Sequence, residues 1–425
     1  MKKTLAAVAV LGAFAGSALA ADVTLYGKVD LGLNYTHTDV DGVSSDKWGM
    51  KSGQNSGSRF GIKGTEQISE GLTVGFQLEN GFDADDGRFK YGNDDGERIF
   101  GREARLFVQT DFGELGFGRM GGLDSGSGSY DIFGGNAGVF GTGWSGIGSD
   151  SVIFMGMSSR YDNMITYKSP TFGGVTVYAQ ASLKQDSSKD GEEASSKADR
   201  YYALGATGKW GALSTGVVAS MYDYGHGNRV AGTATITAGG NPVIKDEVNP
   251  VTTDDDGYAV GAFAAYDFSV TKVTLGAQYF DGVQQSRGSL STDGTFAFTP
   301  SMGDNNPDDD GDIKFEGSKV SFSYGDESAG AKGYGVMLGA VTPLGAGTLY
   351  TSIGYRDSEN ADEKIGGQLD ETVYQVGVGY TYPLSKRTYL YTAAGYTQEE
   401  LDKGGDTDTV KTKTTEVVAG IVHNF

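Results

Sequence analysis

The sequence predicts an all-β chain: a 16-stranded antiparallel transmembrane β-barrel with one long loop, residues 121–160, folded inward. Three observations predict it. Short segments alternate apolar and polar residues with period two along almost the whole chain. The connections between them alternate between short and long, the pattern of bacterial outer-membrane barrels, and the strand number is even. No apolar stretch beyond the first 20 residues approaches the length of a spanning helix, so a membrane-embedded chain must close as a barrel to satisfy its backbone.

The first strand shows the pattern. Leu25, Gly27, Val29, Leu31, Leu33 and Tyr35 alternate with Tyr26, Lys28, Asp30, Gly32 and Asn34. Phe60 and Ile62 alternate with Arg59, Gly61 and Lys63. Leu72, Val74, Phe76 and Leu78 alternate with Thr73, Gly75, Gln77 and Glu79. Leu106 and Val108 alternate with Glu103, Arg105, Phe107 and Gln109, and Leu115 and Phe117 follow after a turn. Ile165 and Tyr167, then Val175, Val177, Ala179 and Ala181, continue it. Further strands read near 200–209, 212–224, 257–268, 271–284, 333–342, 348–358, 372–382, 387–398 and 414–425. The expected long connections are 37–56, 85–98, 121–160, 186–199, 225–256, 285–332, 359–371 and 399–413. A soluble sandwich would not segregate loop lengths in this way or keep so many polar residues on its inner face.

Residues 1–20 read as a secretory signal peptide. Lys2 and Lys3 precede an apolar run from Leu5 to Ala15, and Ala18-Leu19-Ala20 is an A-x-A cleavage site. The rest, 21–425, reads as one barrel domain. Its charge is 32 basic minus 55 acidic residues, or −23, the signal having removed two of the 34 basic residues. That balance argues against nucleic-acid binding. There is no Cys, hence no disulfide or thiolate metal site. Abundant Gly (69), Tyr (24) and Phe (21), with seven Pro, suit many short strands. Acidic runs such as Asp254-Asp255-Asp256 and residues 304–312 fall in long loops and read as solvated surface.

Residues 121–160 break the pattern. Twelve of these forty are Gly, yet the stretch carries Tyr130, Ile132, Phe133, Phe140, Trp144, Ile147 and Phe154. So much apolar surface must pack against something, and long irregular inserts are usually functional. The expected packing partner is the inner wall. Lys28, Arg59, Lys63 and Arg105 should face inward by phase, with Arg119 and Arg160 at the feet of the loop. Asp124, Asp131 and Asp150 lie on the loop itself. Basic wall opposite acidic loop would set ion preference at a narrow section. Arg102 shares a face with Ala104, Leu106 and Val108, so by phase it points outward.

The chain resembles the general porins of Gram-negative outer membranes, particularly the neisserial and β-proteobacterial type. The resemblance rests on Val23-Thr24-Leu25-Tyr26-Gly27, Ser58-Arg59-Phe60-Gly61-Ile62-Lys63-Gly64, Gly101-Arg102-Glu103-Ala104-Arg105, Asp111-Phe112-Gly113, Gly118-Arg119 and Arg160-Tyr161-Asp162-Asn163. It continues through Tyr167-Lys168-Ser169-Pro170-Thr171-Phe172-Gly173-Gly174 to the ending Val422-His423-Asn424-Phe425. It implies passive diffusion of ions and small hydrophilic solutes through a homotrimer set in outer-membrane lipid and lipopolysaccharide. It also implies a constricting third extracellular loop, no cofactor, and a terminal Phe425 read by the barrel-assembly machinery. Two loops, 225–256 and 285–332, are longer and more acidic than the resemblance leads one to expect. The rival readings are a barrel enzyme, a substrate-specific channel and a plugged adhesin. His37, His226 and His423 form no metal spacing or triad, and the inward aromatics are scattered rather than in a row.

Overall fold

A computed structural model describes residues 23–90, 98–157, 160–187, 192–195, 198–225, 229–235, 243–251, 256–283, 330–361, 369–402, 404 and 409–425. The expected signal peptide and the acidic run at 304–312 lie outside the described residues. The strands are β1 (Thr24–Val40), β2 (Val43–Ser52), β3 (Arg59–Ser69), β4 (Leu72–Gly81), β5 (Glu103–Thr110), β6 (Gly113–Gly121), β7 (Arg160–Lys168), β8 (Val175–Ser182), β9 (Arg200–Trp210) and β10 (Leu213–Asp223). They continue as β11 (Arg229–Thr235), β12 (Val243–Val251), β13 (Gly257–Asp267), β14 (Lys272–Val283), β15 (Ala331–Leu344), β16 (Gly347–Asn360), β17 (Asp370–Pro383), β18 (Thr388–Asp402) and β19 (Val410–Asn424).

Each wall strand pairs antiparallel with its neighbours, and β1 returns to β19 from Lys28↔Asn424 to Val40↔Thr412. The sheet is a closed barrel. β2 pairs with the upper half of β1 and β3 with its lower end, so these two share one wall position. Counted this way the wall has sixteen strands. β11 and β12 stand apart as a hairpin within the 225–256 connection, where the sequence suggested only a loop.

Alternation places apolar side chains outward. Leu25, Leu33, Leu204, Val260, Leu275, Leu338, Ile353 and Ile421 are exposed, while Asp30, Asn34, Gln180, Gln278 and Ser352 on the opposite face are buried. A polar interior behind an apolar outer band is what lipid demands of a spanning barrel. Tyr258, Tyr279, Tyr334, Tyr355 and Tyr374 form a belt across five strands on the long-loop side. The Tyr355 and Tyr374 ring centroids are 5.3 Å apart. Phe112, Phe172, Trp210 and Phe268 mark the short-turn end. Such rings suit the two membrane interfaces.

The 37–56 connection is not a loop. β1 runs on to Val40, turns through Asp41 (φ 49°) and Gly42 (φ 86°), and returns as β2. Two successive positive φ values make the tight hairpin turn that Asp-Gly favours. The wall then leaves its ladder at residues 53–58. Asp30 Oδ2 accepts hydrogen bonds from the Asn55 and Ser56 backbone N–H groups, both at 2.7 Å, and Tyr391 Oη donates to Oδ1 at 2.7 Å. One buried carboxylate thus bends the chain into an arch.

Residues 122–157, between β6 and β7, pack on the wall face opposite the apolar band. Ile132 lies against Gly205 of β9, Phe133 against Gly261 of β13, Val139 against Gly339 of β15, Ile153 against Gly354 of β16 and Ile147 against Gly395 of β18. Leu123, Ile132, Phe133, Ile153 and Phe154 join Tyr201, Tyr222, Phe263 and Met337 in one core cluster. Phe140, Trp144 and Ile147 join Tyr391, Val418 and Val422 in a second. Burying a side chain of this size contributes about 1.5–3 kcal/mol, which explains why a Gly-rich segment is held in place. A single helical turn, α1 (Asp150–Ile153), is capped by the Ser149 hydroxyl.

Candidate pore-lining site

The polar face of β1, β3, β4 and β5 carries most of the predicted cations. Lys28 and Arg59 are direct partners across β1 and β3. Both donate to Ser56 on the arch, Lys28 Nζ at 3.1 Å and Arg59 Nη2 at 2.7 Å. Arg59 Nε also donates to the Gly57 carbonyl at 3.0 Å. Lys63, two positions further on the same face, is exposed and sits 5.2 Å above the Tyr26 ring. These three keep contact with water.

The carboxylates nearby are buried behind them. Glu79 accepts from Arg102 Nε at 2.6 Å and from Tyr26 at 3.0 Å, with Arg59 Nη1 at 3.8 Å. Arg102 therefore points inward, against the outward phase expected of it. It precedes the first paired residue of β5, where its N–H bonds to Glu79 O, so ladder alternation does not govern it. Arg105 is held by Glu103 at 2.8 Å, Glu114 at 3.1 Å and the Tyr130 hydroxyl at 2.8 Å. Two carboxylates compensate its charge, and the hydroxyl fixes its orientation. Glu79, Arg102, Glu103, Glu114 and Ser56 were missed as site residues. Glu79 and Glu103 were legible as inward by phase, whereas Ser56 required the arch.

The feet of the 122–157 segment form a separate network. Arg119 Nη1 contacts Asp162 at 2.6 Å and Arg119 Nε donates to the Gly101 carbonyl at 2.9 Å. Arg98 bridges Asp162 and Asp186, each at 2.9 Å. Arg119 is thus an anchor at the base of the loop. Arg160 starts β7 and is part-buried.

The three loop carboxylates divide. Asp124 is fully buried and accepts from Tyr201 at 2.8 Å, Ser220 at 2.5 Å and Tyr222 at 2.9 Å. Asp150 is fully buried too, taking the Gly138 N–H at 2.9 Å. Burial raises the pKa of both, that of Asp150 well above the ordinary carboxylate range. Neither faces water, which corrects the expectation that all three line the pore. Their apolar neighbours draw this part of the loop onto the wall and take the carboxylates with it. Asp131 remains part-exposed, with N–H groups of Gly126, Gly134 and Gly135 at 2.8, 3.0 and 2.8 Å. Burial pushes its pKa up to about 6. Beside it, Ser129 and Asn136 are exposed.

Phe425 closes the seam. Its N–H and C=O exchange 3.0 Å hydrogen bonds with Gly27, and its ring lies over the Gly27 Cα, where a Cβ has no room.

A closed sixteen-stranded antiparallel barrel, apolar outside and lined by charge within, defines a β-barrel membrane channel. The Gram-negative porin family model matches residues 6–297 and 246–402, and the chain belongs to that family. An outer membrane porin protein of Bordetella pertussis is 32% identical over 449 residues, covering 100% of both chains. Outer membrane porin protein 32 of Delftia acidovorans is 28% identical, covering 92% of this chain and 88% of its own. Among solved structures, an anion-selective porin from Comamonas acidovorans superposes with a TM-score of 0.57 at 22% identity, over 95% of this chain and 100% of its own. The protein is an outer-membrane porin, a water-filled channel through which ions and small hydrophilic solutes diffuse passively.

Proposed function

We propose that this porin prefers anions, and that residues 121–160 are the loop that narrows its lumen. One observation carries the preference. The charges that meet water beside the arch are Lys28, Arg59 and Lys63, whereas Glu79 and Glu103 are buried and Asp124 and Asp150 are sealed under the loop. In a narrow section bounded by low-dielectric walls, a few cations that keep contact with water govern which ions enter. The acidic loops oppose this at the mouth, but salt screens them beyond about 8–10 Å at physiological strength.

Measuring the reversal potential across a salt gradient in planar bilayers tests the reading. The native channel should be anion-selective. Arg59→Ser should move the potential toward cations more than Arg105→Ser, because Arg105 is already neutralised by Glu103 and Glu114. A cation-selective native channel would refute the proposal. The narrowing role has its own test. Because the chain has no Cys, Asn136→Cys gives one reactive thiol on the exposed side of the loop. A bulky thiol reagent should then lower single-channel conductance.

Diffusion through such a lumen needs no chemical step, and we read the chain as a channel without catalytic activity. The trimer, the lipopolysaccharide environment, signal removal before Ala21 and recognition of Phe425 by the assembly machinery belong to the same proposal. The resemblance along the whole mature chain supports them.

A further inference from the structure

We propose that the size limit of this channel is set from behind the loop, by Gly261, Gly339 and Gly354 on the wall. This rests on the reading of residues 121–160 as the narrowing loop. At each of these positions an added Cβ would meet a loop side chain rather than open space. At Gly261 it would lie 2.8 Å from the tip of the Phe133 ring. At Gly339 it would lie 2.7 and 2.8 Å from the two Val139 methyls. At Gly354 it would lie 2.6 and 2.9 Å from Cγ1 and Cδ1 of Ile153. Ordinary contact begins near 3.4 Å.

Gly261 sits on β13, while Gly339 and Gly354 lie two register positions apart on the paired strands β15 and β16, so the loop touches the wall at two separate places. Their strand neighbours Val260, Leu338 and Ile353 are exposed on the outer band, so the glycines occupy the face that carries the loop. None of them has a positive φ, so backbone conformation does not demand glycine there. What demands it is the side chain on top. Close-packed interiors answer an added methyl by displacement rather than compression. The closed wall is held by ladders on both edges of each strand, while the loop has no ladder of its own. The loop is therefore the part that gives, and it gives away from the wall. These residues are specificity-determining without touching any solute.

Single-channel conductance and reversal potential of the full mature chain, refolded and inserted in planar bilayers, test this. Gly261→Ala, Gly339→Ala and Gly354→Ala should each lower conductance and reduce the largest sugar oligomer admitted to liposomes, with the reversal potential unchanged. Pairing each with truncation of its partner, Phe133→Leu, Val139→Ala or Ile153→Ala, should restore conductance. Gly49→Ala, where nothing lies within 4 Å, should leave it unchanged. Conductance is read one channel at a time, so a lower yield of folded barrel does not hide the result. Unchanged conductance in the three single variants, or a fall that the partner truncation does not recover, overturns the proposal. If the thiol reagent on Asn136→Cys alters conductance and the glycine variants do not, this proposal alone falls. If the reagent has no effect, the reading of the loop falls first.

Discussion

Asp131 is the one of the three loop carboxylates that still meets water, and burial has moved its titration to about pH 6. Its folded pKa lies above the unfolded value of about 3.9. Folding therefore favours its protonated form. The increment of loop stability is fully present below about pH 4 and is lost as pH rises through about 6. On the proposed selectivity, the same proton removes a charge that opposes the wall cations. The anion-to-cation permeability ratio should rise as pH falls through about 6, and Asp131→Asn should abolish that step. A step that persists in Asp131→Asn assigns it to another group. Asp124 makes a different prediction. Asp124→Ala leaves the hydroxyls of Tyr201, Ser220 and Tyr222 without their acceptor in a buried site, a loss of about 2–4 kcal/mol. Thermal unfolding in detergent should register it, with Asp124→Asn in between because an amide oxygen still accepts.

Strands express the two solvents of the molecule. On β14, Leu275 is exposed on the outer band, between Ala264 of β13 and Leu338 of β15. Three residues along, Gln278 is buried on the other face. Its Oε1 accepts from Met155 N at 2.7 Å and its Nε2 donates to Met155 O at 3.0 Å. A charge is tolerated differently on each side. Leu275→Arg near mid-bilayer should cost about 2–4 kcal/mol, read as a lower unfolding midpoint in guanidinium from lipid vesicles. An effect near zero would place Leu275 away from lipid. The break between β2 and β3 shows the opposite economy. The strand gives up its ladder for six residues, and Asp30 replaces the lost backbone partners with its own oxygens.

Across the whole molecule, stability depends on closing one seam. β1 and β19 are the first and last strands of the sheet in chain order, and their pairing removes both sheet edges. A free edge in lipid would leave backbone groups unsatisfied. Phe425 is the last rung, held to Gly27 through two 3.0 Å hydrogen bonds. Two jobs are attributed to it, closure and recognition during assembly, and they separate experimentally. Deleting Phe425 should leave most purified chain able to refold in detergent into a heat-modifiable barrel, since the rest of the seam runs from Lys28 to Val40. In cells the same deletion should sharply reduce surface-exposed protein. Equal loss in both settings would mean that Phe425 acts through closure alone.

The barrel was legible from residues 25–425 because period two, turn chemistry and loop length are local properties. The outward Leu and Tyr, the inward Lys28, Arg59, Lys63 and Arg105, and the apolar content of residues 121–160 could all be read along the chain. Asp41-Gly42 carried its hairpin signal as well, although the polar residues after it hid β2. What local pattern could not supply was which charges stay in water. Arg102 turned inward because it stands just outside the ladder. Asp124 and Asp150 were buried because Ile132, Phe133 and Ile153 found seats on strands more than fifty residues away. Arg105 is paired with Glu103 and Glu114 and bonded to Tyr130 of the loop, groups that only the folded wall and loop bring together. Phase along a strand is decided by neighbours in sequence, so the sequence determined the barrel and its two faces. Exposure and charge compensation are decided by neighbours in space, so the tertiary structure alone decided which charges stay in water.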